Sequence, residues 1–148
     1  MLYFAYGSNL NHHQMKKDRC PGAKFITKYN LKEYKLIFSY RDQKEPYGYA
    51  NIEKRKGSKV PGAIWKITKR DELELDHYEG VRFGSYDKEY FTLKGKKVLV
   101  YIQSKYTKKK PQSRYIHTII QGYKDCNLDI NYLKKRISYY SINYPLRW

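Results

Sequence analysis

Segments with the pattern of β-strands occur in clusters along this chain and do not alternate regularly with helices. They cover residues 2–6, 23–30, 34–40, 48–53, 60–67, 86–93 and 97–103, and the last two form a hairpin that turns at Gly95. A doubly wound fold requires regular alternation of strands and helices. The sequence therefore predicts one α+β domain over residues 1–148, with a mixed or antiparallel curved sheet and flanking helices.

Helical patterns cover residues 11–19, 69–79, 113–123 and 131–138, and the second is the most clearly bounded. Thr68 is a natural N-cap, and Asp71 stands three residues later as its capping-box partner. Gly80 is suited to end the helix in a left-handed conformation. Residues 54–58 are rich in basic residues and are expected to form a turn between two strands.

The chain carries 31 Lys and Arg against 14 Asp and Glu, a net charge of +17. Such an excess is typical of nucleic-acid-binding proteins. Here, however, the cations are scattered along the whole chain, with the densest run at residues 105–110, and no recognition motif accompanies them. We expect a solvated basic surface. A weak attraction of acidic partners or substrates is the second interpretation, and nucleic-acid binding is the weaker alternative.

The N-terminus is apolar from its start and lacks the basic region and cleavage site of a secretory signal. Two cysteines, Cys20 and Cys126, are too few for a disulfide framework. No stretch has the roughly 20 apolar residues of a membrane span. These features predict a cytoplasmic protein that does not enter a membrane.

Motifs for cofactors, metals and enzymatic nucleophiles are absent from the sequence. It has no dinucleotide-binding or P-loop glycine pattern and no nucleophile elbow. The four histidines lack partners at zinc-binding spacing, and Cys20 has no obvious base nearby. We therefore expect neither a metal nor an organic cofactor.

The first candidate site is the N-terminal segment Tyr3-Phe4-Ala5-Tyr6-Gly7-Ser8-Asn9-Leu10. A strand that runs into a Gly-Ser-Asn turn and then a helix presents backbone N–H groups, which suit a carboxylate or an oxyanion. The alternative is an ordinary strand-to-helix turn in which Ser8 or Asn9 serves as the N-cap. The pattern alone leaves both interpretations open.

The second candidate site is the acidic end of the helix before Gly80. Glu79 lies in the last turn, where the negative end of the helix dipole and burial among aromatic residues would both raise its pKa. A raised carboxyl pKa suits general acid–base catalysis at neutral pH. Asp76 competes for this role, although it is expected to pair with Lys66 or Lys69, and a surface glutamate paired with lysine is the alternative for Glu79.

Several segments together resemble the γ-glutamylcyclotransferase family, including its butirosin-pathway-type members. They are Tyr6-Gly7-Ser8-Asn9-Leu10, Arg19-Cys20-Pro21-Gly22-Ala23, residues 57–65, Leu75-Asp76-x-x-Glu79-Gly80 with Tyr86, and residues 101–122. The resemblance covers roughly the first 135 residues and leaves residues 139–148 outside. It implies a small mixed α+β domain with a curved, barrel-like sheet.

The resemblance also implies a site and a reaction. Glu79 takes the acid/base position, and the substrate-binding residues are Tyr3, Phe4, Ala5, Tyr6, Gly7, Ser8, Asn9, Tyr101 and Tyr115. The implied reaction releases 5-oxoproline from a small γ-glutamyl compound by attack of its own α-amine, and it requires no cofactor. A catalytically silent binding module of the same fold is the alternative, and the chain is expected to be a monomer or a homodimer.

Overall fold

Six strands form one mixed sheet in the computed structural model, which describes residues 1–148. The strands are β1 Leu2–Ala5, β2 Lys24–Tyr40, β3 Tyr49–Lys66, β4 Asp87–Leu93, β5 Lys96–Ile102 and β6 Thr107–Lys108. Their order across the sheet is β4-β5-β1-β3-β2-β6. Strands β1 and β5 run parallel, and every other pair is antiparallel. The predicted α+β class with a mixed sheet is confirmed.

Strand β1 lies in the interior of the sheet, as its apolar sequence predicts. It pairs with β3 from Leu2 opposite Lys66 to Ala5 opposite Ala63, and Leu2 and Tyr3 also pair with β5. Residues 3–5 are almost completely buried. Since a strand held on both sides cannot shift its register easily, the turn that follows Ala5 has a fixed starting point.

Strands β2 and β3 are longer than the sequence predicted. Each joins two predicted strands, so the expected breaks at residues 31–33 and 54–58 are wrong. Residues 55–58 instead form a bulge opposite Glu33, and the Glu33 carboxylate accepts a hydrogen bond of 3.1 Å from the Gly57 N–H. Glu33 and Gly57 have positive φ angles, 70° and 80°. The bulge accommodates the extra residues of β3, and the hydrogen-bonded pairing of β2 with β3 continues on both sides of it.

The helices follow the predicted positions, although the first differs in type. Residues Ser8–Leu10 form a 3-10 turn and Gln14–Arg19 a π-helical segment, where an ordinary helix over 11–19 was expected. Helix α1 spans Lys69–Tyr78, α2 Ser113–Asp125 and α3 Ile130–Ile137. None of these helices combines the length and apolar composition needed to cross a membrane.

Both predicted boundaries of α1 are confirmed. The Thr68 side chain accepts a hydrogen bond of 3.1 Å from the Asp71 N–H, and the Asp71 carboxylate accepts one of 3.0 Å from the Thr68 N–H. Gly80 adopts the left-handed conformation with φ 62°. This cap fixes Glu79 as the last residue before the chain turns away.

Helix α2 packs on the 3-10 turn that follows β1. Gly122 lies at this contact, where an added Cβ would be only 2.6 Å from the Asn11 nitrogen and from the Leu10 Cβ. Ile116, Ile119 and Tyr123 on the same helix are buried in the core. The close approach at Gly122 therefore sets the distance between α2 and the turn.

We expect Gly122→Ala to destabilise the protein. Alanine improves helix propensity by up to about 1 kcal/mol at an open position, but here the new methyl overlaps backbone atoms, and overpacking typically costs about 1–3 kcal/mol. Chemical denaturation should show a net loss of unfolding free energy. Lys124→Ala on the exposed face of the same helix is the control, and equal stability of both variants would contradict the close contact.

Candidate active site

A cavity of about 440 Å³ opens where the turn after β1, the end of α1 and the start of α2 meet the sheet. Eighteen residues line it: Tyr3, Phe4, Tyr6, Gly7, Ser8, Asn9, Gln14, Arg19, Tyr40, Tyr49, Ala50, Tyr78, Glu79, Gly80, Ser85, Tyr86, Tyr101 and Tyr115. The volume lies within the range of small-molecule sites in proteins. Both segments that the sequence singled out therefore border one cavity.

Eight of the eighteen lining residues are tyrosines, and several of their hydroxyls are hydrogen-bonded to the protein backbone. Tyr6 donates a hydrogen bond of 2.5 Å to the Tyr101 carbonyl, and Tyr86 donates one of 2.6 Å to the Ala50 carbonyl. The Tyr115 hydroxyl accepts one of 2.8 Å from the Ala50 N–H. These bonds hold the rings of Tyr6, Tyr86 and Tyr115 in place.

Glu79 lies at the end of α1 with its backbone N–H donating to the Leu75 carbonyl at 2.8 Å. Its carboxylate lines the cavity and makes no hydrogen bond or ion pair with any side chain of the protein. The residue as a whole is partly exposed, because one side of it faces the open cavity. A carboxylate without a partner is free to exchange a proton with a bound molecule.

Burial raises the pKa of Glu79 to about 7, and the positive charge of Arg19 opposes this rise. The dominant cause is the loss of water around the charged form. The negative charge of Glu79 in turn contributes to the raised pKa of five tyrosines around it, namely Tyr3, Tyr6, Tyr86, Tyr101 and Tyr115. Glu79 is thus poised to act as either an acid or a base near neutral pH.

Asp76 has a different environment one turn earlier on α1. Its carboxylate accepts hydrogen bonds from the Tyr101 hydroxyl at 2.7 Å and from the Lys88 ammonium at 3.0 Å. The expected pairing with Lys66 or Lys69 is wrong, because β4 brings Lys88 across the helix. Asp76 does not line the cavity. It serves instead to hold the Tyr101 ring in the cavity wall.

The turn at Gly7 to Asn9 is held by side chains around it. Gln14 donates hydrogen bonds to the Ser8 hydroxyl at 2.8 Å and to the Asn9 side-chain oxygen at 3.0 Å, and Asn9 donates to the Tyr3 hydroxyl at 3.0 Å. The first N–H groups of such a helical turn have no partner within it. An added Cβ on Gly7 would lie 2.8 Å from the Ala50 Cβ. This turn therefore requires glycine at position 7.

Ser8 and Asn9 do not provide the side-chain N-cap considered for this turn. Gly7 precedes the 3-10 helix, and no side chain caps it. Of the expected substrate-binding residues, only Ala5 lies outside the cavity lining, because its place in β1 opposite Ala63 buries it in the sheet. The Phe4 ring packs mainly on Tyr29 and Phe91, which lie outside the cavity.

Sequence reasoning missed several lining residues, of which Arg19 is the most informative. Its guanidinium lies 3.7 Å from the centre of the Tyr78 ring and is the one cationic side chain in the lining. Arg19 and Tyr78 are far apart in sequence, so no local pattern relates them. The one sequence feature that could have pointed to Arg19 is that it is the first residue of Arg19-Cys20-Pro21-Gly22-Ala23, a segment that carries the family resemblance.

The lining offers no set of metal ligands, and no group of three or more His, Cys, Asp or Glu side chains is placed to hold a metal ion. Both cysteines are buried free thiols, and burial raises the pKa of each to about 12. Neither lines the cavity. Glu79 is therefore the group of the protein that is available for proton transfer at neutral pH, together with any ionisable group of a bound substrate.

Comparisons with known proteins identify relatives over most of the chain. The AIG2-like family matches residues 59–135. The human γ-glutamylcyclotransferase is 33% identical over 143 residues, which cover 90% of this chain and 76% of the human protein. The bovine γ-glutamylcyclotransferase is 34% identical over 143 residues, which again cover 90% of this chain and 76% of the bovine protein.

A solved structure described as a γ-glutamyl cyclotransferase has a closely similar fold. It superposes with a TM-score of 0.80 at 29% identity and covers 99% of this chain and 92% of its own. The curved sheet and its flanking helices are thus shared along nearly the whole length of the chain.

We expect Glu79→Gln to stabilise the protein at neutral and alkaline pH. A carboxyl whose folded pKa is about 7 keeps its proton where the unfolded chain, at about 4.5, has lost it. The wild type therefore loses unfolding free energy as the pH rises from about 4.5 to 7, by up to about 3 kcal/mol. Glutamine does not titrate and avoids this loss.

Denaturation curves at pH 4, 6 and 8 measure the effect. The stability gained by Glu79→Gln should be small at pH 4 and largest at pH 8. Glu74→Gln is the matched control, because Glu74 lies exposed on the same helix. A difference between wild type and Glu79→Gln that stays constant with pH would show that the carboxyl is not desolvated.

Proposed function

Because the chain belongs to the γ-glutamylcyclotransferase family, we propose that it is a cyclotransferase that releases 5-oxoproline from a small γ-glutamyl compound. The observation that carries this proposal is the Glu79 carboxyl, which has a pKa of about 7 and no partner within the cavity. A reaction that moves one proton at neutral pH requires such a group.

The substrate supplies its own nucleophile in this reaction. The α-amine attacks the γ-carbonyl, the new carbon–nitrogen bond closes a five-membered lactam, and the bond to the leaving amine breaks. Oriented intramolecular reactions reach effective molarities of ~10^5–10^8 M. The enzyme therefore needs to hold the γ-glutamyl chain folded, and no serine or cysteine nucleophile is required.

Glu79 moves the proton. The α-amine of the substrate is largely protonated at neutral pH and cannot attack in that form. The Glu79 carboxylate takes one proton from the ammonium, so that the free amine attacks, and gives this proton to the nitrogen of the leaving amine as the intermediate collapses. The ring nitrogen then loses its second proton to the Glu79 carboxylate, which passes it to the departing amine and is left ionised for the next turnover. Since its pKa lies near 7, both its charged and its neutral forms are available for the two steps.

The remaining lining residues position the substrate. The backbone N–H groups at Gly7 to Asn9 face the reacting carbonyl and stabilise its oxyanion, and one such donor is worth about 3–4 kcal/mol. Arg19 holds a substrate carboxylate. The rings of Tyr6, Tyr101 and Tyr115 exclude water, which preserves the raised pKa of Glu79.

A silent binding module of the same fold is the competing function. Such a module has no need for an unpaired, desolvated carboxylate, because desolvating it lowers stability without improving binding. Incubation with a panel of γ-glutamyl amines and dipeptides, with 5-oxoproline measured by mass spectrometry, distinguishes the two. Ligand binding without any 5-oxoproline would favour the module.

We expect Glu79→Gln to fold and bind a γ-glutamyl ligand while its kcat falls. Loss of one proton-transfer group typically costs a factor of ~10^2–10^4 in rate. Steady-state release of 5-oxoproline measures the loss, and calorimetry with a γ-glutamyl ligand measures binding. Wild-type turnover by Glu79→Gln would refute the mechanism.

Asp76→Asn is the comparison within the same helix. It should retain most turnover, since Asp76 lies outside the cavity, but it should lose some stability because Lys88 and Tyr101 lose a charged partner. If Asp76→Asn abolished turnover and Glu79→Gln did not, the roles of the two carboxylates would be reversed.

The pH dependence of kcat/KM provides a separate test. Activity should fall below about pH 7 as Glu79 becomes protonated in the free enzyme. Arg19→Met removes the charge that lowers this pKa, so the acidic limb should shift to higher pH and KM should rise. Lys16→Met, an exposed change on the same π-helical segment, should leave the limb in place.

A limb that stays at the same pH in Arg19→Met would mean that Glu79 is not the titrating group or that Arg19 does not act on it. A normal KM in the same variant would remove Arg19 from substrate binding. The two readouts separate the electrostatic role of Arg19 from its role in holding a carboxylate.

A further inference from the structure

A second concavity of about 1000 Å³, here called the basic groove, shares no lining residue with the active-site cavity. Its walls are the bulged arm of β2 and β3, the edge strand β6 with the two residues after it, and α3 with the residues that follow. The Phe38 ring stands between the two concavities, with its centre 6.5 Å from that of Tyr115 and 5.6 Å from that of Tyr140.

Eight cationic side chains line the basic groove: Lys35, Arg55, Lys59, Lys108, Lys109, Lys110, Lys135 and Arg136. Glu53 is the one carboxylate paired with any of them, and it contacts Lys35 at 3.5 Å and Lys108 at 3.7 Å. Glu33, on the bulge, is occupied by the Gly57 N–H. The groove therefore holds far more positive than negative charge.

Four of these cations have no partner in the protein. Arg55, Lys59, Lys110 and Lys135 make no ion pair and no side-chain hydrogen bond. Like charges gathered in a concave surface raise the local potential and attract polyanions. A ligand with several phosphates at regular spacing fits this arrangement, since it would release counterions from each phosphate that is neutralised.

Aromatic rings accompany the cations. Tyr132 and Tyr140 direct their hydroxyls to the backbone of β2 at Leu36 and Phe38, and these bonds fix their rings. Tyr139 is 65% exposed, and the Arg136 guanidinium lies 4.6 Å from the centre of its ring. An exposed ring beside a basic track offers a stacking surface for an unpaired base.

We propose that the basic groove binds single-stranded nucleic acid, with lysine and arginine on the phosphates and Tyr139 stacked on a base. The sequence alone made nucleic-acid binding the weaker alternative. Residues 35, 55–59, 108–110 and 135–136 are scattered in the sequence, and only the fold gathers them. An acidic polypeptide would match the charge but would leave the exposed ring of Tyr139 without a flat partner.

The test uses fluorescence anisotropy of a labelled 12-nucleotide oligothymidylate between 50 and 300 mM salt. The triple variant Arg55→Ser, Lys59→Ser, Lys135→Ser should weaken binding about 10- to 100-fold. It should also reduce the salt slope by about 2, because each phosphate that is no longer neutralised lowers the slope by about 0.7. Tyr139→Ala should weaken binding about fivefold or more at every salt concentration.

The control is a second triple variant with the same charge change, Arg70→Ser, Lys24→Ser, Lys124→Ser. These residues are exposed and lie outside the groove, so binding should change less than threefold. If both triple variants weaken binding equally, net charge alone is responsible and the site is refuted. Release of 5-oxoproline should be unchanged in the groove variant, so the site and the proposed enzyme activity can fail separately.

Competition with poly-glutamate of equal charge separates the two kinds of polyanion. Oligothymidylate should remain bound when poly-glutamate is added at the same concentration as the oligonucleotide. If poly-glutamate displaces it at equal concentration and Tyr139→Ala has no effect, the groove recognises acidic polypeptides and the nucleic-acid proposal is wrong.

Discussion

The pairing of β1 with strands on both sides is the constraint on which the candidate active-site cavity depends. β3 pairs with all four residues of β1 and β5 with the first two, so the chain leaves the sheet at a fixed point after Ala5. The turn that follows is pressed between Ala50 and helix α2, and Gly7 and Gly122 are the residues whose lack of a side chain permits both contacts. Small shifts of β1 would therefore move one whole wall of the cavity.

Two carboxylates on one helix illustrate how environment assigns chemical roles. Asp76 is surrounded by donors from β4 and β5, which hold it as a structural charge. Glu79 shares its cavity with tyrosine rings that remove water from it, and Tyr6 and Tyr86 donate their hydroxyl protons to backbone carbonyls and not to Glu79. Side chains that differ by one methylene thus differ in their proton affinity and partners because of what surrounds them.

Local signals predicted much of the fold and the two segments of the site, but not the contacts between distant residues. The capping box of Thr68 and Asp71 and the left-handed Gly80 depend on neighbours in sequence, and the sequence revealed both. The bulge opposite Glu33 depends on a partner strand, and the predicted break at 54–58 was wrong for that reason. Lys88 and Arg19 reach their partners only through the tertiary fold.

The placement of charge explains how a chain of net charge +17 keeps a carboxyl pKa near 7. A cation close to Glu79 in the cavity would lower that pKa strongly, whereas exposed cations are screened within about 10 Å at ordinary salt. Only Arg19 enters the cavity lining, while eight cations lie around the groove beyond Phe38. Separation of the two charged regions lets the surface attract anions without neutralising the effect of burial on Glu79.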